Sequence, residues 1–164
     1  MKKFLSILLT TVIFFSIPTF SAFASDNNEP IAYDINMSDE EFEKLEHVDS
    51  EEEPISSKSN SIILHKSASL GIENGKLVCR CTTVGVSGVV KSGFKYIKVQ
   101  QYKNGSWVDY KTFENIYRDS NECKDTKLIT ATKGYKYRVT AKHYAKKSLL
   151  NTETVISTSS TITL

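Results

Sequence analysis

Apolar positions fall along this chain in three patterns. Residues 4–20 are almost wholly apolar. Residues 25–54 carry only scattered hydrophobes among many acids. From about residue 61 onward apolar and polar residues alternate, and Gly or Asn-Gly interrupts the runs. A strand turns successive side chains to opposite faces, so this alternation predicts β-structure. Seven strands are expected, over 61–70, 76–83, 94–103, 107–113, 126–131, 135–144 and 154–164.

Asn74-Gly75 and Asn104-Gly105 are two-residue hairpin signals, because both residue types tolerate the positive φ of such turns. Gly134 marks a third turn. Short strands at this spacing, with no amphipathic helix among them, predict an all-β fold. The expected form is a seven-stranded antiparallel β-sandwich of fibronectin-type or immunoglobulin-like topology. A tyrosine early in the penultimate strand, within "GYKYRVTA", fits the residue that pins a corner of such domains.

The apolar run at the N-terminus has the form of a secretory signal peptide. Lys2 and Lys3 make a short positive start, in a bacterial style, and Ala22-Phe23-Ala24 supplies a small–x–small cleavage site before Ser25. Ser16, Pro18 and Thr19 interrupt the run and no basic flank follows, which argues against a retained anchor. Cleavage after Ala24 leaves one domain's worth of chain, destined to be extracellular or loosely wall-associated, with no membrane span expected.

Charge then divides the remainder. Residues 25–54 hold twelve acids against Lys44 alone, a charge of −11. Residues 55–164 hold eighteen Lys and Arg against seven acids, a charge of +11. Three segments are therefore expected: a leader (1–24), an acidic linker or propeptide (25–57) and a basic β-sandwich domain (58–164). The acidic segment has too few hydrophobes for a core of its own and is read as a largely disordered, solvated spacer. One piece of it predicts a helix near 39–47. Ser38 and Glu41 can form a capping box, with Met37 and Phe42 in the staple positions. So short a helix is marginal alone. It would gain order by laying Phe42 and Leu45 on the domain.

The strand at 135–144 sorts into two faces. Tyr135, Tyr137, Val139 and Ala141 read as core; Lys136, Arg138, Thr140, Lys142 and Tyr144 read as solvent-facing. With Ile97 and Val99 inward on the neighbouring strand, Tyr96, Lys98, Gln100 and Tyr102 join that outer face. The candidate polyanion-binding set is Tyr96, Lys98, Tyr102, Lys136, Arg138, Lys142 and Tyr144. Cations can meet phosphates or carboxylates there while rings stack on sugars. The plain alternative is a solvated strand, where Tyr and Lys are common.

"NGSWVDYKTF", "KGYKYRVTAKHYAKK" and "ETVISTSSTITL" resemble an uncharacterised family of small secreted β-rich proteins of Gram-positive bacteria. The resemblance covers about residues 63–164 and implies secretion and a β-rich domain. It is a domain of unknown function, so no activity or site residue carries over. Cys79, Cys81 and Cys123 stand where the family would place small or aliphatic residues.

The odd count of Cys79, Cys81 and Cys123 leaves at least one thiol unpaired within a monomer. A bridge from Cys79 or Cys81 to Cys123, or three buried thiols, are both open. His65 and His143 do not complete a zinc pattern. No Gly-x-Ser-x-Gly, His-Glu-x-x-His or phosphate loop is present, and His143 reads as a surface histidine on a basic strand. The chain is therefore read as non-catalytic and without a cofactor. Two partners are expected in competition. One is an anionic envelope polymer such as teichoic acid, with the acidic arm competing for the same basic face. The other is an extracellular protein met by Phe42 and Leu45 or by a sheet edge. Nucleic acid is not expected.

Overall fold

The computed structural model describes residues 29–51 and 60–164, so Ala22, Ala24 and Ser25 lie outside the described residues. It is all-β apart from one short helix. The elements are β1 (Ala32–Asp34), α1 (Asp39–Glu43), β2 (Glu46–Asp49), β3 (Ile63–Glu73), β4 (Lys76–Gly85), β5 (Lys91–Lys103), β6 (Ser106–Arg118), β7 (Glu122–Ile129), β8 (Lys136–Lys146), β9 (Thr152–Thr158) and β10 (Ile162–Thr163). They form two antiparallel sheets. The first runs β1-β7-β4-β3-β2; the second runs β10-β8-β5-β6, with β9 also paired to β8. No helix among the described residues is long and apolar enough to cross a membrane.

The turns follow from local chemistry. Asn74 and Gly75 take φ of 49° and 71°, and Asn104 and Gly105 take 52° and 82°. Two successive positive φ values give a turn whose twist matches the flanking strands. Pairing of Glu73 with Lys76, and of Lys103 with Ser106, then sets the register of both hairpins.

One buried core draws on both sheets. Ala68, Leu70, Leu77, Cys79, Cys81, Cys123 and Ile129 come from the first; Phe94, Ile97, Val99, Tyr137, Val139, Ala141 and Ile162 come from the second. Tyr137 is fully buried, so its hydroxyl needs partners. It accepts from the Thr132 amide at 3.1 Å and from Gln101 Nε2 at 2.8 Å, and donates to the Thr132 carbonyl at 2.8 Å. Ring and turn are thereby tied together at the start of β8.

Four expectations need correction. Ten strands are present among the described residues rather than seven, because the acidic segment supplies two and the last predicted strand divides into β9 and β10. The acidic segment is not a solvated spacer over Ala32–Asp49: β1 pairs with β7, β2 pairs with β3, and α1 lies between them. Its order comes from pairing with the domain, which composition cannot register. Third, α1 stops at Glu43 instead of reaching residue 47, because Glu46 onward enters the ladder with β3. The fourth concerns His143, which is fully buried on the inner face of β8 rather than at the surface. The cysteine question also closes: all three are free and buried.

Candidate functional site

The outer face of the second sheet is built by three neighbouring strands. Register places Tyr96 opposite Lys142, Lys98 opposite Thr140 and Gln100 opposite Arg138 across β5 and β8. On the other flank of β5, Gln100 faces Asp109 and Tyr102 faces Trp107 of β6. Six of the seven predicted residues, Tyr96, Lys98, Tyr102, Arg138, Lys142 and Tyr144, thus meet on one face. Lys136 shares the face but sits at its end, opposite Thr163 of β10.

Side-chain contacts order this face. Arg138 stacks with its guanidinium carbon 4.4 Å from the centre of the Trp107 ring, and Tyr102 packs on Trp107 at 5.2 Å. Arg138 Nε donates to Gln100 Oε1 at 2.9 Å, and Gln100 Nε2 donates to Asp109 Oδ1 at 2.8 Å. Lys98 Nζ donates to Asp109 Oδ2 at 2.5 Å. That bond raises the Lys98 ammonium above its ordinary pKa, and the same bond with the Gln100 contact holds the Asp109 carboxyl below its own. Further along, Lys98 lies 5.4 Å from the Tyr96 ring, Lys95 5.8 Å from Tyr144 and Lys91 5.8 Å from Tyr117. Tyr117 and Tyr144 meet edge to face at 5.3 Å across Gly93, which pairs with both. Glycine is required there by the backbone: at φ 150° a Cβ would collide with the Ile116 carbonyl oxygen of β6.

Seven cations occupy or rim this face: Lys91, Lys95, Lys98, Lys136, Arg138, Lys142 and Lys146. Lys91 pairs with Asp119 and Lys98 with Asp109; among the described residues the other five meet no carboxylate. Cations held over rings keep their charge and lose side-chain freedom in advance, which lowers the ordering cost of meeting an anion.

Period-two reasoning missed several of these residues. Trp107 was recoverable, since a two-residue turn at Asn104-Gly105 forces Tyr102 and Trp107 opposite each other. Lys95 was not, because it sits in a register shift between Phe94 and Tyr96 that breaks the alternation.

The first sheet's outer face is organised differently. Phe42 of α1 is buried against it, and Gly71 makes room: a Cβ there would lie 3.2 Å from Leu45 Cδ1 and 3.4 Å from Phe42. Arg80, itself buried, donates to Asp39 Oδ1 at 3.0 Å and to the carbonyls of Met37 and Ser38 at 2.7 and 2.9 Å, with its guanidinium 4.4 Å from the Phe42 ring. Lys124 adds bonds of 2.8 Å to both Asp39 oxygens, and these hold the Asp39 carboxyl below its ordinary pKa. The capping box forms: Glu41 N donates to Ser38 Oγ at 3.2 Å, and Ser38 N to Glu41 Oε2 at 2.7 Å. Among the described residues the arm answers first-sheet cations through Asp34 and Asp39, while Glu29 reaches Lys111 of β6 in the second sheet at 3.6 Å. No described arm acid pairs with Lys95, Lys98, Lys136, Arg138, Lys142 or Lys146. Phe42 is buried and Leu45 half-buried against their own domain.

Inside the core, His143 bridges strands. Thr83 Oγ1 donates its single proton to the Gly93 carbonyl at 3.1 Å, so it accepts from His143 Nδ1 at 2.8 Å; Nε2 then accepts from the Ser157 hydroxyl at 2.6 Å. Burial drives the imidazole pKa down to about 3, so the ring stays neutral. His143 makes no thiol–imidazole pair with Cys123, since both ring nitrogens serve hydroxyls. Burial also pushes the Cys123 thiol up to about 11 and raises Cys81. A thiolate nucleophile is thereby disfavoured. Among the described residues no group of three or more His, Cys, Asp or Glu is placed to hold a metal ion.

Comparison with protein-family models, with characterised proteins and with solved structures gives no match for this chain.

Proposed function

We propose that this chain is a secreted, non-catalytic binding module that adsorbs to anionic polymers of the cell envelope through the outer face of its second sheet. The observation that carries the reading is the row of cations set over rings on that face, with Arg138 on Trp107 at 4.4 Å as its best-ordered member. Polyanions suit such a surface because their charge meets the cations while sugar faces meet the rings. The signal-peptide pattern before Ser25 supports delivery outside the cell. We further read the two sheets as an immunoglobulin-like sandwich. Their shared core and the Tyr137 hydroxyl bonded back to Thr132 support that reading.

The test uses the chain from Ser25, which retains every described residue, and purified teichoic acid across a salt series. Binding is expected at low salt and release as salt rises. Absence of binding at low salt would overturn the reading. A second reading has one observation behind it: β6 is a thirteen-residue strand at the edge of its sheet. A partner strand could pair there. Binding that ignores salt would favour it.

A further inference from the structure

Among the described residues the tight turns follow turn chemistry with one exception. Asn74-Gly75, Asn104-Gly105 and Gly134 supply polar or glycine residues at positive φ. The β8–β9 hairpin instead places Leu149 and Leu150 at the centre of its turn. They are 87% and 101% exposed, essentially as open to water as in an extended chain. Turn positions favour Gly, Asn, Asp, Ser and Pro, and nothing in the backbone here demands leucine.

The tip is held in place. Lys147 N donates to the Asn151 carbonyl at 2.9 Å, and Asn151 N to the Ser148 carbonyl at 3.3 Å, closing the loop beneath the two leucines. The neighbouring 86–90 loop adds Val90, 55% exposed, whose amide donates to the Lys146 carbonyl at 2.9 Å. Cations surround this apolar point. Lys146 and Lys147 lead directly into it, and Lys91 pairs with Lys146 across the sheet. Asp119, bonded to Lys91 at 3.4 Å, is the nearby acid. Glu153 turns inward to accept from Ser61 and from the amides of Ile62 and Ile63.

A projecting apolar tip with a lysine collar matches the layering of an anionic bilayer, where acyl chains lie beneath negative headgroups. We propose that the Leu149–Leu150 tip is a membrane-docking point that enters the headgroup–acyl boundary of an anionic lipid surface, with Lys91, Lys146 and Lys147 on the headgroups. The inference goes beyond polymer adsorption: it shares Lys91 and Lys146 with the cationic face but depends on the two leucines, which that reading does not use.

Sedimentation of the Ser25 chain with vesicles tests it. Vesicles of phosphatidylcholine with phosphatidylglycerol should carry the protein down, and phosphatidylcholine alone should carry far less. The Leu149→Ser/Leu150→Ser double variant should lose partitioning on the order of a hundredfold. Its thermal midpoint and its binding to soluble teichoic acid should be unchanged. Leu150→Trp should show emission shifted to the blue when anionic vesicles are added. Equal vesicle binding by the double variant would overturn the proposal. So would absence of vesicle binding at low salt, or a dimer that the double variant breaks, which would make a second copy the occupant of the tip.

Discussion

On the first sheet, Arg80 and Lys124 point outward into acids of the same chain: Asp39 bonds both, and Phe42 roofs the guanidinium. On the second, Arg138, Lys95 and Lys142 point outward over or beside rings and meet no carboxylate among the described residues. Both faces are basic in sequence. Among the described residues the acidic arm covers the first face at α1 and leaves these cations of the second without a carboxylate, so the first face is expected to serve stability and the second the proposed binding. Overall net charge of +2 conceals this division completely.

The comparison can be broken in four ways, taken from the largest expected effect. The interior between the faces should fail first in acid. Unfolded histidine titrates near pH 6.5, whereas His143 in the fold titrates at about 3. Between those values the unfolded chain takes up a proton that the folded chain refuses. Stability is therefore full above about pH 6.5 and falls toward pH 3, by about 5 kcal/mol across the range. Denaturant titrations at several pH values should show this slope, and His143→Gln should flatten it.

The roof comes next. Phe42→Ala removes a buried ring from the first face and should cost about 3 kcal/mol, read from denaturant midpoints. Polymer affinity should stay within twofold, because the arm does not serve the other face. Arg138→Ala with Lys142→Ala reverses the pattern. Stability should move by about 1 kcal/mol or less for each change, since both side chains are half-buried on the sheet face. Affinity for teichoic acid should fall about tenfold, and the salt slope by about one for each lost cation. The smallest effect belongs to Lys98→Gln. Asp109 already neutralises that ammonium, so affinity should change by less than about twofold. A large loss there would mean that Asp109 is displaced on binding.

Much of the second face was legible in the sequence, and the reason is local. The alternation through Lys136–Lys146 fixes which side chains point out, and the Asn-Gly turn fixes the register of β5 with β6. The capping box of α1 was equally local. What escaped detection depends on tertiary pairing. β1 and β2 are only three and four residues long and lie in an acidic stretch, so their order exists only through β7 and β3. β7 also breaks the pattern, for Asp125 and Lys127 take inner-face register opposite Cys81 and Cys79. They pair with each other there at 3.1 Å, and Asp34 from the arm completes the site. His143 obeyed the alternation of its strand; its chemistry, more often found at surfaces, concealed the burial.

The single tryptophan of the chain lies at the centre of the proposed face, which makes it an unambiguous reporter. The most direct measurement follows the Trp107 indole N–H signal by NMR while teichoic acid is titrated into the chain from Ser25 at low salt. The account predicts that this signal shifts, saturates with polymer and returns when salt is added, while the amide signals of Arg80 and Phe42 stay in place. Polymer binding that leaves Trp107 unmoved and shifts Arg80 or Phe42 instead would contradict it.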